Sequence, residues 1–164
     1  MKTSGRHHLK TESPVIHAKG LLRHAGLRAK KGLGQHFLID EDVLKVIVSA
    51  AELVANDVVV EIGPGLGVLT RELSQNAGYV IAVELDDKLT ALLKQTMASR
   101  GNVLVVNQDI LKIDPGALLQ EAKTKFRLET GDALNYKVVA NLPYYITSPV
   151  LRHFLEAKNK PTVM

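Results

Sequence analysis

The 164-residue chain is 46% hydrophobic and 23% charged, enough for one ordinary core and about one domain. It has no cysteine, so disulfides and thiolate chemistry are excluded; its six histidines lack metal-ligand spacing, and no apolar run could span a bilayer, so a metal-free cytoplasmic protein is expected. The net charge of +4 is uneven, with eight Lys or Arg against one Glu in residues 1–31 and 13 basic against 16 acidic residues in 32–164.

Met1 to Gly20 lacks periodicity and reads as a disordered leader or solvated tail, leaving residues 21–164 as the folded domain. Leu21 to Lys31 is basic enough to serve as a phosphate-binding arm, because Lys and Arg release counterions from a nucleic-acid backbone. Two glycines, then Gln35-His36-Phe37-Leu38, suggest a covering loop, and Asp40 is a good N-cap. The helix after it sets Val43, Val46, Ile47, Ala50, Ala51 and Val54 on one buried face.

Val58 to Ile62 is a β-branched run expected as a strand buried on both faces. The turn Gly63-Pro64-Gly65-Leu66-Gly67 follows and opens a helix from Val68 that stops at Asn76-Ala77-Gly78. Tyr79 to Glu84 is the second strand, and Asp86-Asp87 begins a helix with Leu89, Leu92, Leu93 and Met97 inward. Val103 to Val106 is the third strand, Pro115 to Ala122 a short helix, Thr124 to Asn135 a polar loop and Lys137 to Ala140 the fourth strand. Ser148 and Pro149 suit the N-cap and N1 of a helix over Val150 to Ala157, and a new apolar run begins at Pro161. Strands alternating with helices specify an α/β, doubly wound, mostly parallel sheet.

In such a sheet, ligands lie outside the carboxyl ends of the strands. Glu61, Gly63, Glu84, Asp109 and Asn141 all fall at those ends. The turn reads G-x-G-x-G rather than the dinucleotide fingerprint G-x-G-x-x-G, which disfavours an NAD-dependent oxidoreductase. A carboxylate at the mouth of a crowded turn suits a ligand with an amine and a sulfonium, namely S-adenosylmethionine. Glu84, about 20 residues beyond the turn, can accept from both hydroxyls of a ribose. Asp109 can accept from an adenine amino group.

Asn141-Leu142-Pro143-Tyr144 fits methylation of an exocyclic nitrogen, whose lone pair is delocalised into its ring. If the Asn141 side-chain oxygen and a Leu142-Pro143 carbonyl accept the two N–H bonds, that nitrogen can pyramidalise, with Pro143 fixing the turn and Tyr144 offering a ring for stacking.

With these residues in place, the sequence resembles the KsgA-type small-subunit rRNA adenine dimethyltransferases. The similar stretches are Lys31 to Asp40, Val60 to Thr70, Val83 to Asp86, Asn107 to Asp109 and Asn141 to Pro149, in the family's order from about residue 21 to the end. The resemblance implies a Rossmann-like methyltransferase fold and transfer of two methyl groups from S-adenosylmethionine to N6 of each of two adjacent adenines in small-subunit rRNA of a 30S precursor, by a monomer. It also implies that His36, Leu38, Gly63, Glu84, Asp109 and Asn141 contact the cofactor, and that Asn141, Leu142, Pro143 and Tyr144 hold the adenine. His36 stands where the family usually has Asn, implying an altered, pH-dependent contact.

Family members continue through further strands and a helical RNA-docking domain that this sequence does not contain. The sheet is therefore expected to be incomplete, with its fourth strand a bare apolar edge, and the chain to bind cofactor weakly and be nearly inactive on ribosomes. The alternatives are a resistance-type large-subunit rRNA adenine methylase, which shares the Asn-x-Pro-Tyr logic, and a non-catalytic RNA-binding assembly factor on the same scaffold.

Overall fold

Four valine-rich runs make the frame. In the computed structural model, which describes Gly20 and residues 40–128 and 134–164, they are β1 (Val58–Ile62), β2 (Tyr79–Glu84), β3 (Val103–Asn107) and β4 (Tyr136–Ala140). All pair in parallel in the order β3-β2-β1-β4. Because β1 is paired on both sides and covered on both faces, all five of its residues are buried, so its sequence shows no polar alternation.

Five helices among the described residues cover the sheet: α1 (Glu41–Ala50), α2 (Val68–Asn76), α3 (Asp87–Thr96), α4 (Pro115–Phe126) and α5 (Tyr144–Glu156). Leu44 of α1, Leu69 and Leu73 of α2, and Leu89 and Leu93 of α3 pack with Val59, Val80, Ala82 and Val139 on one face. Leu118 and Leu119 of α4 and Val150 and Phe154 of α5 pack with Val58, Val60, Ile81, Val83 and Val138 on the other. This is the doubly wound α/β sheet the alternation specifies. No helix among the described residues is long and apolar enough to cross a membrane.

Four local expectations are corrected. Asp40 caps α1 as anticipated, accepting from the Asp42 and Val43 N–H groups, but the buried face is Leu44, Ile47, Val48 and Ala51, while Val43, Val46 and Val54 are exposed. Both sets satisfy the helical period. The chosen face packs Leu44 and Ala51 into the core, and at the far end of the helix the Lys137 ammonium from β4 donates to the Ala51 and Glu52 carbonyls.

The last helix begins at Tyr144, five residues before Pro149, with Pro143 at its N-cap. Ile146, Val150 and Phe154, one turn apart, form a continuous apolar stripe whose burial outweighs the backbone donor Pro149 lacks. Helix α4 runs on to Phe126, whose ring packs 4.7 Å from that of Tyr79, so the polar stretch begins later than its composition suggests. The outer edge of β4 is not wholly bare, because Val138 N–H donates to Val163 O at 2.9 Å and Thr162 N–H to Tyr136 O at 2.8 Å.

Candidate active site

The end of β1 turns back on itself through three left-handed glycines, Gly63 at φ 65°, Gly65 at φ 57° and Gly67 at φ 77°. Side chains are disfavoured at such angles. At Gly67 space is also lacking, since a Cβ there would stand 2.5 Å from Leu93 Cδ1. Two backbone bonds close the turn, Gly63 N–H to Val83 O at 2.9 Å and Gly67 N–H to Pro64 O at 3.0 Å.

Glu84 ties this turn to β2. Its Oε2 accepts from Gly65 N–H at 3.0 Å and its Oε1 from Asp86 N–H at 2.9 Å, with the residue 5% exposed. Each carboxylate oxygen has two acceptor sites, so both keep one for a ligand hydroxyl. The Glu84 carbonyl in turn accepts from Gln108 N–H and Asn107 Nδ2, locking the ends of β2 and β3 together. Asp109 Oδ1 accepts from Leu111 N–H at 3.1 Å and Oδ2 lies 3.4 Å from Lys112 Nζ, which orients the carboxylate at the end of β3.

A cavity of about 280 Å³ opens where these ends meet, and Gly63, Glu84, Asp109, Asn141, Leu142 and Pro143 all line it. Six of the sequence-predicted residues are thus brought together. Tyr144 is not among the lining residues and is 98% exposed, whereas its neighbour Tyr145 is in the wall. His36 and Leu38 lie outside the described residues. Leu85, Leu89 and Ile110 give the cavity apolar walls, and sequence reasoning missed them. The available signal was adjacency, since Leu85 and Ile110 each directly follow an acidic residue expected at the ligand.

Glu61 is a further correction. It is 1% exposed and is not part of the cavity wall. Strand alternation sends its side chain to the face covered by α2, where it meets Thr70. Burial pushes its carboxyl up to about 8, opposed by the Thr70 hydroxyl and assisted by the nearby Glu84 carboxylate. Its Oε2 and the Thr70 Oγ1 both lack a well-formed hydrogen bond. No group of three or more His, Cys, Asp or Glu that could hold a metal stands among the described residues.

A family model described as ribosomal RNA adenine dimethylase matches residues 26–164. Ribosomal RNA small subunit methyltransferase A of Dehalococcoides mccartyi is 51% identical over 154 residues, covering 94% of this chain and 49% of the relative. The protein of that name from Moorella thermoacetica is 49% identical over 140 residues, covering 84% and 47%. The chain therefore spans about half the length of the curated relatives it matches. Among solved structures, the 23S rRNA methyltransferase ErmE aligns with a TM-score of 0.63 and 32% identity over 78% of this chain and 46% of that one. A dimethyladenosine transferase from Plasmodium falciparum aligns with a TM-score of 0.59 and 25% identity over 77% and 40%. With the glycine turn, the acidic strand ends and Asn141-Leu142-Pro143 around one cavity, the chain belongs to the ribosomal RNA adenine dimethylase family, whose members take their methyl group from S-adenosylmethionine.

Proposed function

We propose that residues 21–164 form the methyltransferase domain of a small-subunit rRNA adenine N6,N6-dimethyltransferase, and that the cavity holds S-adenosylmethionine beside an extruded adenine. The observation that carries this reading is the convergence of Gly63, Glu84, Asp109 and Asn141, together with Leu142 and Pro143, on one cavity. When bound, the cofactor supplies a methyl group on a sulfonium. Glu84 accepts the ribose hydroxyls with the acceptor sites left free by Gly65 and Asp86. Asp109 accepts from the adenine amino group, and Leu85 and Ile110 flank the ring.

Asn141 and the Leu142-Pro143 carbonyl accept the N–H bonds of the target amine and turn its lone pair toward the methyl group. Pro143, at φ −60°, holds that carbonyl in place. Tyr144, exposed just outside the cavity, offers its ring to a base taken out of its helix. Catalysis is then positioning and electrostatics, with the amine proton released to solvent after transfer. His36 and Leu38 add cofactor contacts in this reading, and a 30S precursor is the partner.

Radiolabelled methyl transfer to unmethylated 30S particles, followed by primer extension on the small-subunit RNA, tests it. Label on two adjacent small-subunit adenines is expected. The likeness to ErmE favours a second reading, the large-subunit RNA as substrate, and stops on that RNA alone would select it.

A further inference from the structure

Strand β3 and helix α3 both reach for one peptide, the Glu84–Leu85 bond at the end of β2. Asn107, the last residue of β3, stands in register with Glu84. Its Nδ2 donates to the Glu84 carbonyl at 3.0 Å, with Thr90 Oγ1 at 3.1 Å and the Leu85 carbonyl at 3.4 Å. Thr90, on α3 and buried, donates its own hydroxyl to the same Glu84 carbonyl at 3.4 Å. Asn107 Nδ2, Thr90 Oγ1 and Glu84 O therefore close a triangle, beside the ladder bond that Gln108 N–H makes to that carbonyl.

A parallel ladder needs only the Gln108 bond. The side-chain bonds are additional, and only the amide nitrogen of Asn107 can face two carbonyls, which settles how that side chain is turned. Neither Asn107 nor Thr90 lines the cavity, but the two residues they hold both do. The Glu84 carboxylate is fixed from the other side by the Gly65 and Asp86 N–H groups. Leu85 is 62% exposed, so little packing holds its side chain and the backbone must aim it.

We propose that Asn107 and Thr90 are positioning residues for nucleoside recognition, holding the Glu84–Leu85 peptide so that the Glu84 carboxylate meets both ribose hydroxyls and Leu85 lies against the adenine. This rests on the methyl-donor reading of the cavity. A clamp that merely joined α3 to β3 would alter folding stability and leave the preference for ribose hydroxyls untouched. A clamp that aims Glu84 sets that preference.

Calorimetric titration of wild type, Asn107→Leu, Thr90→Val and Thr90→Ser with S-adenosylhomocysteine, and with an analogue lacking both ribose hydroxyls, tests this. Wild type should favour the hydroxylated ligand by at least about tenfold, the worth of one hydrogen bond to a charged group. The preference should fall below about threefold in Asn107→Leu, fall by at least about twofold in Thr90→Val, and return in Thr90→Ser, which keeps the hydroxyl. The full preference retained in Asn107→Leu, or in Thr90→Val should Asn107→Leu not fold, would overturn the proposal. So would equal binding of the two ligands by wild type, which leaves the methyl-donor reading standing.

If wild type bound neither ligand, the methyl-donor reading would fail instead, and amide hydrogen exchange on the ligand-free chain decides the clamp alone. The Gly65 and Asp86 N–H groups, which donate to Glu84, should then exchange at least about tenfold faster in Asn107→Leu, or in Thr90→Val, while Val60 and Ile81 at the centre of the sheet are unchanged. Rates that rise together, or that do not rise at Gly65 and Asp86, would refute it.

Discussion

The Gly65 amide donates to Glu84 Oε2 at 3.0 Å, so the residue proposed to hold a ribose also shapes the turn beside it. Glu84→Gln keeps the size of the side chain but sets an NH₂ against either the Gly65 or the Asp86 N–H, donor facing donor. Hydrogen bonds to a charged group are worth about 1.5–3 kcal/mol, so S-adenosylhomocysteine affinity should fall roughly 10- to 100-fold by calorimetry. An unchanged affinity would remove Glu84 from the site.

Gly67 and Gly63 should separate stability from binding. An alanine at Gly67 meets both a positive φ of 77° and Leu93 Cδ1 at 2.5 Å, a core side chain with no exposure. The expected loss is about 2–4 kcal/mol in urea unfolding. At Gly63, φ is 65° but a Cβ meets nothing within 4 Å, so Gly63→Ala should cost only about 1–2 kcal/mol, with a larger effect on ligand affinity because this residue lines the cavity.

Lys137 is a structural staple far from the chemistry. Its ammonium bonds Asp57 Oδ2 at 2.9 Å and the Ala51 and Glu52 carbonyls at 3.1 and 2.7 Å, with the paired side chains only 13% and 18% exposed. Lys137→Met leaves Asp57 without its cation and should cost about 2–4 kcal/mol in denaturant, with cofactor affinity unchanged once folded. A Met variant as stable as wild type would show that α1 does not depend on β4.

Tyr144 and Tyr145 should divide the two substrates between them. Tyr144, 98% exposed, is the ring proposed to stack on the base, and Tyr145 is in the cavity wall. Tyr144→Ala should leave S-adenosylhomocysteine affinity within about twofold and reduce methyl transfer by at least about tenfold, since stacking a base is worth about 1–3 kcal/mol. Tyr145→Ala should weaken the cofactor. The reverse pattern would reassign the two rings.

The fold was legible because buried parallel strands leave uninterrupted valine and isoleucine runs. The expected ranges of β1 and β2 match the observed ones, and β3 and β4 are each one residue longer than expected. The cavity was legible for a related reason, since the topology brings strand ends together, and an acidic or amide residue closing a strand must stand there. Rotation was not legible. Val43 and Val46 share one helical period with the Leu44 set, and the period alone does not say which face turns inward. Ser148-Pro149 mimics a helix start, and nothing local reveals that Ile146 continues the stripe of Val150 and Phe154. Glu61 looked like part of the mouth because it precedes the glycine turn, but a strand's twofold alternation turns its side chain under α2, and a count of alternation from Val59 would have found this.

The central claim is that the cavity between β1, β2, β3 and β4 receives a methyl donor and not a dinucleotide. Parallel calorimetric titrations of the chain with S-adenosylhomocysteine and with NAD test it most directly. The account predicts saturable, one-to-one binding of S-adenosylhomocysteine that is lost in Asp109→Ala, and no heat from NAD. Saturable binding of NAD with none of S-adenosylhomocysteine would contradict it.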